Sequence, residues 1–300
     1  MIKHTIEIAQ RPARIKLENR QLVIISGENA PRRFACEDIG VLILQHPAIS
    51  LSAAILNALL AEGAAIIICD SRHLPSGLLL PTVTHTELVP RMMSQLDATV
   101  PRKKLAWKLI VKAKILAQAK QLSGLQQRRL QTLAENVKSG DSANHEAQAA
   151  KIYWAARFPK IYGDGDQRDP DGLSLFNTLL NYGYAIVRAT IARALVSAGL
   201  LPALGVFHHR RGNPYCLADD LIEPLRPLVD QKVAEILDKQ EYLETTDLTS
   251  ELRQELLSLI TAQLEFKEQS GPLMAILPRY ISSFFGVISG EAQTMHFPRF

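Results

Sequence analysis

The side chains best equipped for chemistry cluster in residues 205–227. His208 and His209 are followed by Arg210 and Arg211, a Gly-Asn-Pro turn, and then Asp219, Asp220 and Glu223, which precede Pro224-Leu-Arg226-Pro. Carboxylates and imidazole are ligands for a hard divalent cation, and guanidinium groups suit a phosphate. Asp220 and Glu223 are three apart, so on a helix both can face one pocket. The same spacing also fits a helix N-terminus with acidic residues favoured by its dipole, after a solvated loop. These residues alone do not separate the two readings.

A second stretch bears on that choice. Residues 145–157 read His-Glu-Ala-Gln-Ala-Ala-Lys-Ile-Tyr-Trp-Ala-Ala-Arg. On a helix Glu146, Ala150, Tyr153 and Arg157 share a face, and Ala147, Ala149 and Ala150 allow close approach. Capping does not require a carboxylate on such a face. His145-Glu146 opens like a zinc-protease HExxH, but the fourth residue after His145 is Ala149, so that site does not exist. Residues 163–169 look superficially like a calcium loop; Arg168 at a ligand position and the missing closing Glu make them a turn. Asn177 and Asn181, four apart within a long apolar segment, cost helix propensity and so imply a hydrogen-bonding role.

The elements that must position these groups fall into two parts. In residues 1–81, short runs such as Thr5-Ile-Glu-Ile, Arg14-Ile-Lys-Leu and Leu22-Val-Ile-Ile alternate or are β-branched, with a turn at Asn19-Arg20 and one helix over 51–61. His46, His73, Glu37 and Asp38 there read as surface or turn residues. Residues 82–300 read as helices over 88–98, 101–121, 125–138, 171–197, 225–237, 251–266 and 273–286. The expected fold class is α+β: a small N-terminal β-rich domain (1–81) followed by a large all-α domain (82–300). The final segment, from 290, reads as loosely held or docked on a partner.

Composition narrows the function classes. Apolar residues make up 47% and charged residues 21%, which excludes a disordered chain. No apolar run reaches the length of a membrane span. Cys36, Cys69 and Cys216 form no CxxC, so a zinc ribbon is excluded, and an odd count without an export signal points to a cytoplasmic location. The net charge of +4 is unevenly spread: residues 81–170 carry 15 basic against 8 acidic side chains. Lys104, Lys108 and Lys112 form an i, i+4, i+8 row with Arg102, Lys103 and Lys114 nearby, and no carboxylate lies between Arg102 and Lys120. An uncompensated row of that kind suits phosphate contact.

Four ordered blocks together resemble the metal-dependent integrase and endonuclease of CRISPR spacer acquisition, the CRISPR-associated protein one family. They are Glu146-Ala-Gln-Ala-Ala-Lys-Ile-Tyr-Trp, Asn177-Thr-Leu-Leu-Asn-Tyr-Gly-Tyr, Gly205-Val-Phe-His and Asp220-Leu-Ile-Glu-Pro-Leu-Arg-Pro. Residues 37–43 and 65–81 resemble that family's β-domain signatures, and the Asp220 block is most similar to members from type II systems. The resemblance implies metal ligands at Glu146, His208 and Glu223. Many members carry Asp where this chain has Glu223, and Asp220 is the competitor for that place. It implies Mg²⁺ or Mn²⁺, and 3′-hydroxyl transesterification that inserts captured DNA into a repeat array. Lys104, Lys108, Lys112, Arg210, Arg211, Arg226, Asn177 and Asn181 are then candidate DNA contacts. The implied partners are DNA, a second copy through the β domain, a small ferredoxin-like protein and, in type II systems, an RNA-guided effector nuclease and a ring-forming DNA-binding protein. The competing functions are a generic divalent-metal DNA nuclease and a non-catalytic DNA-binding assembly module.

Overall fold

Alternation in the first part of the chain produces two four-stranded sheets. The structure is a computed structural model that describes residues 3–27, 29–70, 75–82, 86–162, 174–239 and 248–300. His73 and the 163–169 turn lie outside these residues. The elements are β1 (His4–Ile8), β2 (Ala13–Glu18), β3 (Gln21–Ile25), β4 (Arg32–Ala35), β5 (Ile39–Leu44), β6 (Ile49–Leu51), α1 (Ala53–Ala61), β7 (Ala65–Cys69) and β8 (Pro75–Leu79). One sheet has the order β1-β5-β7-β8, parallel except for β8; the other has the order β4-β3-β2-β6. Asn19 and Arg20 take φ of 50° and 59° in the two-residue β2–β3 turn, where both central residues need positive φ.

Side-chain direction within the β5 and β7 strands explains their unbroken apolar runs. Leu42 and Ile66 enter a core with Ile15, Leu22, Ile24, Ile55 and Leu59. Their neighbours Val41, Ile43 and Ile67 point the other way, into the larger core built by the helices. A sheet covered on both faces has no polar side to encode.

The helices are α2 (Leu88–Leu96), α3 (Val100–Lys120), α4 (Gly124–Glu135), α5 (His145–Arg157), α6 (Pro159–Tyr162), α7 (Leu175–Ser197), α8 (Cys216–Ile222), α9 (Arg226–Leu237) and α10 (Ser250–Leu257). A hairpin, β9 (Gln263–Phe266) and β10 (Gln269–Pro272), precedes α11 (Leu273–Ser289). Long, apolar α7 is the axis against which α8, α9, α10, α11 and the β7–β8 edge pack. Gly183 lets α9 come close: a Cβ there would lie 2.5 Å from Val229. A polar cluster pins α7 to the strands. Gln45 Nε2 donates to Glu7 and to the Tyr182 hydroxyl, both at 2.7 Å, and Arg253 of α10 lies 3.3 Å from the same Glu7 carboxylate.

Three expectations need correction. The 82–300 part is not all-α, and the helix expected over 251–266 ends at Leu257. Residues 263–266 alternate exposed and buried, with Leu264 and Phe266 inward, and form a strand. Second, β4 and β6 were not anticipated, because β4 is short and charged, an edge strand whose Arg33 pairs with Glu18 at 2.9 Å. Third, the C-terminal segment is docked on its own chain: Arg299 exchanges two 2.8 Å backbone hydrogen bonds with Glu265, and Phe297 and Phe300 pack against the helical core.

Candidate active site

Each catalytic candidate is placed by a local device. Asp141 caps α5, accepting from the backbone N–H of His145 (2.9 Å) and Glu146 (3.0 Å), so Glu146 is fixed in the first turn. Glu223 opens a 3₁₀ turn, residues 223–225, that joins α8 to α9, and its side chain is only 7% exposed. The His208 loop is organised by Asp220. This fully buried carboxylate accepts from the backbone N–H of Val206 (2.6 Å), Phe207 (3.2 Å) and His208 (3.0 Å), and lies 2.7 Å from His208 Nδ1. The loop closes so tightly on it that a Cβ on Gly205 would overlap the His208 carbonyl oxygen and lie 2.7 Å from Asp220 Oδ2. The hydrogen bond that Asp220 accepts from the His208 ring raises the His208 pKa against the opposing effect of burial. With Nδ1 engaged, Nε2 is the nitrogen left for a ligand.

Glu146 and Glu223 converge on one cation. Lys114 Nζ contacts Glu146 Oε1 and lies 2.5 Å from Glu223 Oε2. The second contact is a buried ion pair that takes up Glu223 Oε2. Arg226 Nε donates to Glu223 Oε1 at 2.7 Å, and its guanidinium lies over the Tyr184 ring at 4.5 Å. Burial works against the Glu223 charge, but Arg226 and Lys114 outweigh it and hold its pKa down to about 2. Burial likewise opposes the Lys114 charge, and the two carboxylates more than offset it, raising its pKa.

These groups line a cavity of about 500 Å³ with Ala150 and Trp154 of α5, Asn181 and Arg188 of α7, and Asp219 and Asp230. The open face of α5 is therefore Glu146, Ala150 and Trp154. Tyr153 turns inward and donates to Gln121 at 2.9 Å, and Arg157 lies over Phe158. Asn181 lines the cavity, whereas Asn177 is buried at the start of α7, where its N–H donates to Ser174. His208 does not line the cavity, and among the described residues no three His, Cys, Asp or Glu side chains are already gathered tightly enough to hold an ion. His209, Arg210 and Arg211 are exposed; Lys104 is exposed, and Lys108 and Lys112 are half-buried. Arg102 leaves the lysine row to cap α11, donating to the Ser289 carbonyl at 2.9 Å.

Sequence reasoning missed Lys114 and Asp230. It grouped Lys114 with the phosphate-facing row. The signal was present: Trp107, Ile110, Val111, Lys114, Ile115 and Gln118 are the buried stripe of α3, and a lysine on such a stripe needs buried acids. Asp230 sits the same way among Val229, Val233 and Ala234 on α9, accepting from the Tyr184 hydroxyl.

Convergent carboxylates, an oriented imidazole and paired cations therefore sit on a helical scaffold beside a small two-sheet part. The family described as CRISPR associated protein Cas1 matches residues 6–261. The chain is 36% identical to the CRISPR-associated endonuclease Cas1 of Neisseria meningitidis serogroup C, over 97% of this chain and 94% of that one. Its fold is similar to that of a casposase bound to integration product (TM-score 0.74, 17% identity, 98% and 92% of the two chains). It is also similar to part of a Cas6-RT-Cas1–Cas2 complex (TM-score 0.75, 17% identity, 97% of this chain and 35% of that one). The chain belongs to the Cas1 family of CRISPR-associated endonucleases. Among the described residues, no helix is long and apolar enough to cross a membrane.

Proposed function

We propose that this chain is the Mg²⁺- or Mn²⁺-dependent integrase of CRISPR adaptation. The 3′-hydroxyl oxygen of a captured DNA forms a bond to a repeat-edge phosphorus as the bond from that phosphorus to the 3′ oxygen of the flanking nucleotide breaks; the hydroxyl proton leaves to solvent and the displaced oxygen gains one. The observation that carries this reading is the convergence of Glu146 and Glu223, from helices far apart in sequence, on a single cation position beside the His208 loop.

The donor set fits such an ion. Two carboxylates and one imidazole are ligands that hard divalent cations accept, the two carboxylates already face one cationic centre at Lys114, and the Asp220 contact leaves His208 Nε2 free. Glu146, Glu223 and His208 through Nε2 would hold the ion. Asp220 is a positioning residue, because its oxygens are committed to three backbone N–H groups and the His208 ring. A bound ion would polarise the phosphoryl oxygen and stabilise developing charge. Arg226 and Lys114 keep Glu223 ionised and add positive charge where a phosphate must sit. Asn181 and Arg188 offer further polar contacts from α7. Lys104, Lys108, Lys112, Arg210 and Arg211 supply phosphate contacts along the DNA.

In this reading residues 1–81 form the dimerising domain and residues 82–300 the catalytic, DNA-binding domain. The complete assembly adds a small ferredoxin-like partner and, in a type II setting, the effector nuclease and a ring-forming DNA-binding protein. The test is strand transfer. Protein and small partner are incubated with 3′-hydroxyl duplex and a repeat-bearing plasmid in Mn²⁺ or Mg²⁺. Expected are joined products that vanish with chelator and in Glu146→Gln, with DNA binding retained. Cutting without joining would favour a generic nuclease, and binding without either reaction an assembly module.

A further inference from the structure

Phe207 is, among the described residues, the one aromatic side chain among the exposed large apolar groups, with 44% of its surface open. Folding normally hides such a ring, and here the chain instead holds it out on a rigid mount. One face lies flat on Trp107, with ring centroids 4.1 Å apart and an interplanar angle of 1°; Trp107 itself is 3% exposed, inside the helical core. The Phe207 N–H donates to buried Asp220, and its carbonyl is contacted by His209 Nδ1. The His208 ring stands edge-on to both, 5.4 Å from Phe207 and 5.8 Å from Trp107. The residue next in sequence to the imidazole proposed for catalysis therefore presents a fixed, half-open π-face. Exposed Arg210 and Arg211 follow within four residues.

An aromatic face beside guanidinium groups is the combination that holds an unpaired or splayed nucleotide: the base stacks and the phosphate pairs. We infer that Phe207, backed by Trp107, is the stacking platform for a nucleobase next to the reacting phosphate, forming a three-layer stack that sets the strand's position at His208. This rests on the integrase reading and assigns it a substrate contact. A fixed ring loses little freedom on binding, so the stack is worth more here than on a mobile loop.

The experiment compares the full-length parent, Phe207→Tyr and Phe207→Leu with DNA carrying a fluorescent adenine analogue beside the reacting phosphate. Leu keeps apolar cover over Trp107 but has no ring to stack. Expected are quenching of the analogue by the parent and by Phe207→Tyr and its loss in Phe207→Leu, with joining by Phe207→Leu roughly tenfold weaker at limiting DNA and near parental at saturation. Mn²⁺ binding and thermal midpoint should match the parent. Equal quenching by the parent and Phe207→Leu, at whatever level, overturns the platform. Glu146→Gln separates the two ideas, since quenching that survives while joining is lost supports the platform independently of the chemistry.

Discussion

Lys114→Met removes the charge that Glu146 and Glu223 share while keeping an apolar stem of similar length. An ordinary glutamate titrates near 4.5 and Glu223 is held at about 2. That difference corresponds to roughly 3 kcal/mol of stabilisation of the charged form, shared between Arg226 and Lys114. Glu146 is 29% exposed and contributes less through solvent screening. Breaking a buried pair costs about 3–5 kcal/mol, but Arg226 remains on Glu223, so about 2–3 kcal/mol is expected from the variant. The assay is guanidinium unfolding with chelator at neutral pH, repeated with Mn²⁺. The variant should unfold at lower denaturant in chelator, and Mn²⁺ should restore more stability to it than to the parent, up to about 2.7 kcal/mol at a hundredfold excess over Kd. The sign with pH follows from the lowered carboxylate pKa: the contribution of Glu223 is present above about 4.5 and lost as pH falls towards 2, and in Lys114→Met, where the folded pKa rises, that loss should be smaller and complete at a higher pH. Identical midpoints in chelator and identical Mn²⁺ increments would refute the idea that Lys114 neutralises the carboxylate pair.

Asp220→Asn sets an amide nitrogen against backbone N–H groups and should cost about 2–3 kcal/mol by urea titration, with joining sharply reduced and DNA binding kept. Gly205→Ala should lower stability by about 1–3 kcal/mol, read by thermal melting, because its Cβ meets backbone rather than a yielding side chain. Replacing Lys104, Lys108 and Lys112 together by Ala should weaken DNA binding and make its salt dependence shallower; an unchanged slope would remove the row from the DNA surface.

The two-part architecture was legible because period-2 and period-3.6 patterns occupy separate stretches of the chain. The patterns failed where periods run together: residues 251–266 carry a helix, a 3₁₀ turn and a strand that all place leucine inward, and only the alternation of Gln263-Leu-Glu-Phe266 marks the change. Glu146, His208 and Glu223 were legible as chemical types. Their division of labour was not, because it depends on which oxygens are already occupied. Asp220 and Glu223 look equivalent at i, i+3, yet one faces the 206–208 backbone and the other faces Lys114. Lys114 was hidden for a related reason: charge counting treats every lysine on α3 alike, and only the buried stripe distinguishes it.

The committed oxygens of Asp220 also have a mechanical consequence. Asp220 and Glu223 belong to one continuous helical run, and Asp220 grips the His208 loop through four contacts. His208 and Glu223 are therefore tied to the same helical run. Glu146 rides on a different helix, α5, anchored at its own end by Asp141, and Lys114 of α3 lies between the two as a spacer. The width of a site built this way is set by the gap between α5 and the α8–α9 run, with α3 packed against both. A change in the packing of α3 would therefore alter the distance between Glu146 and Glu223 without touching either carboxylate.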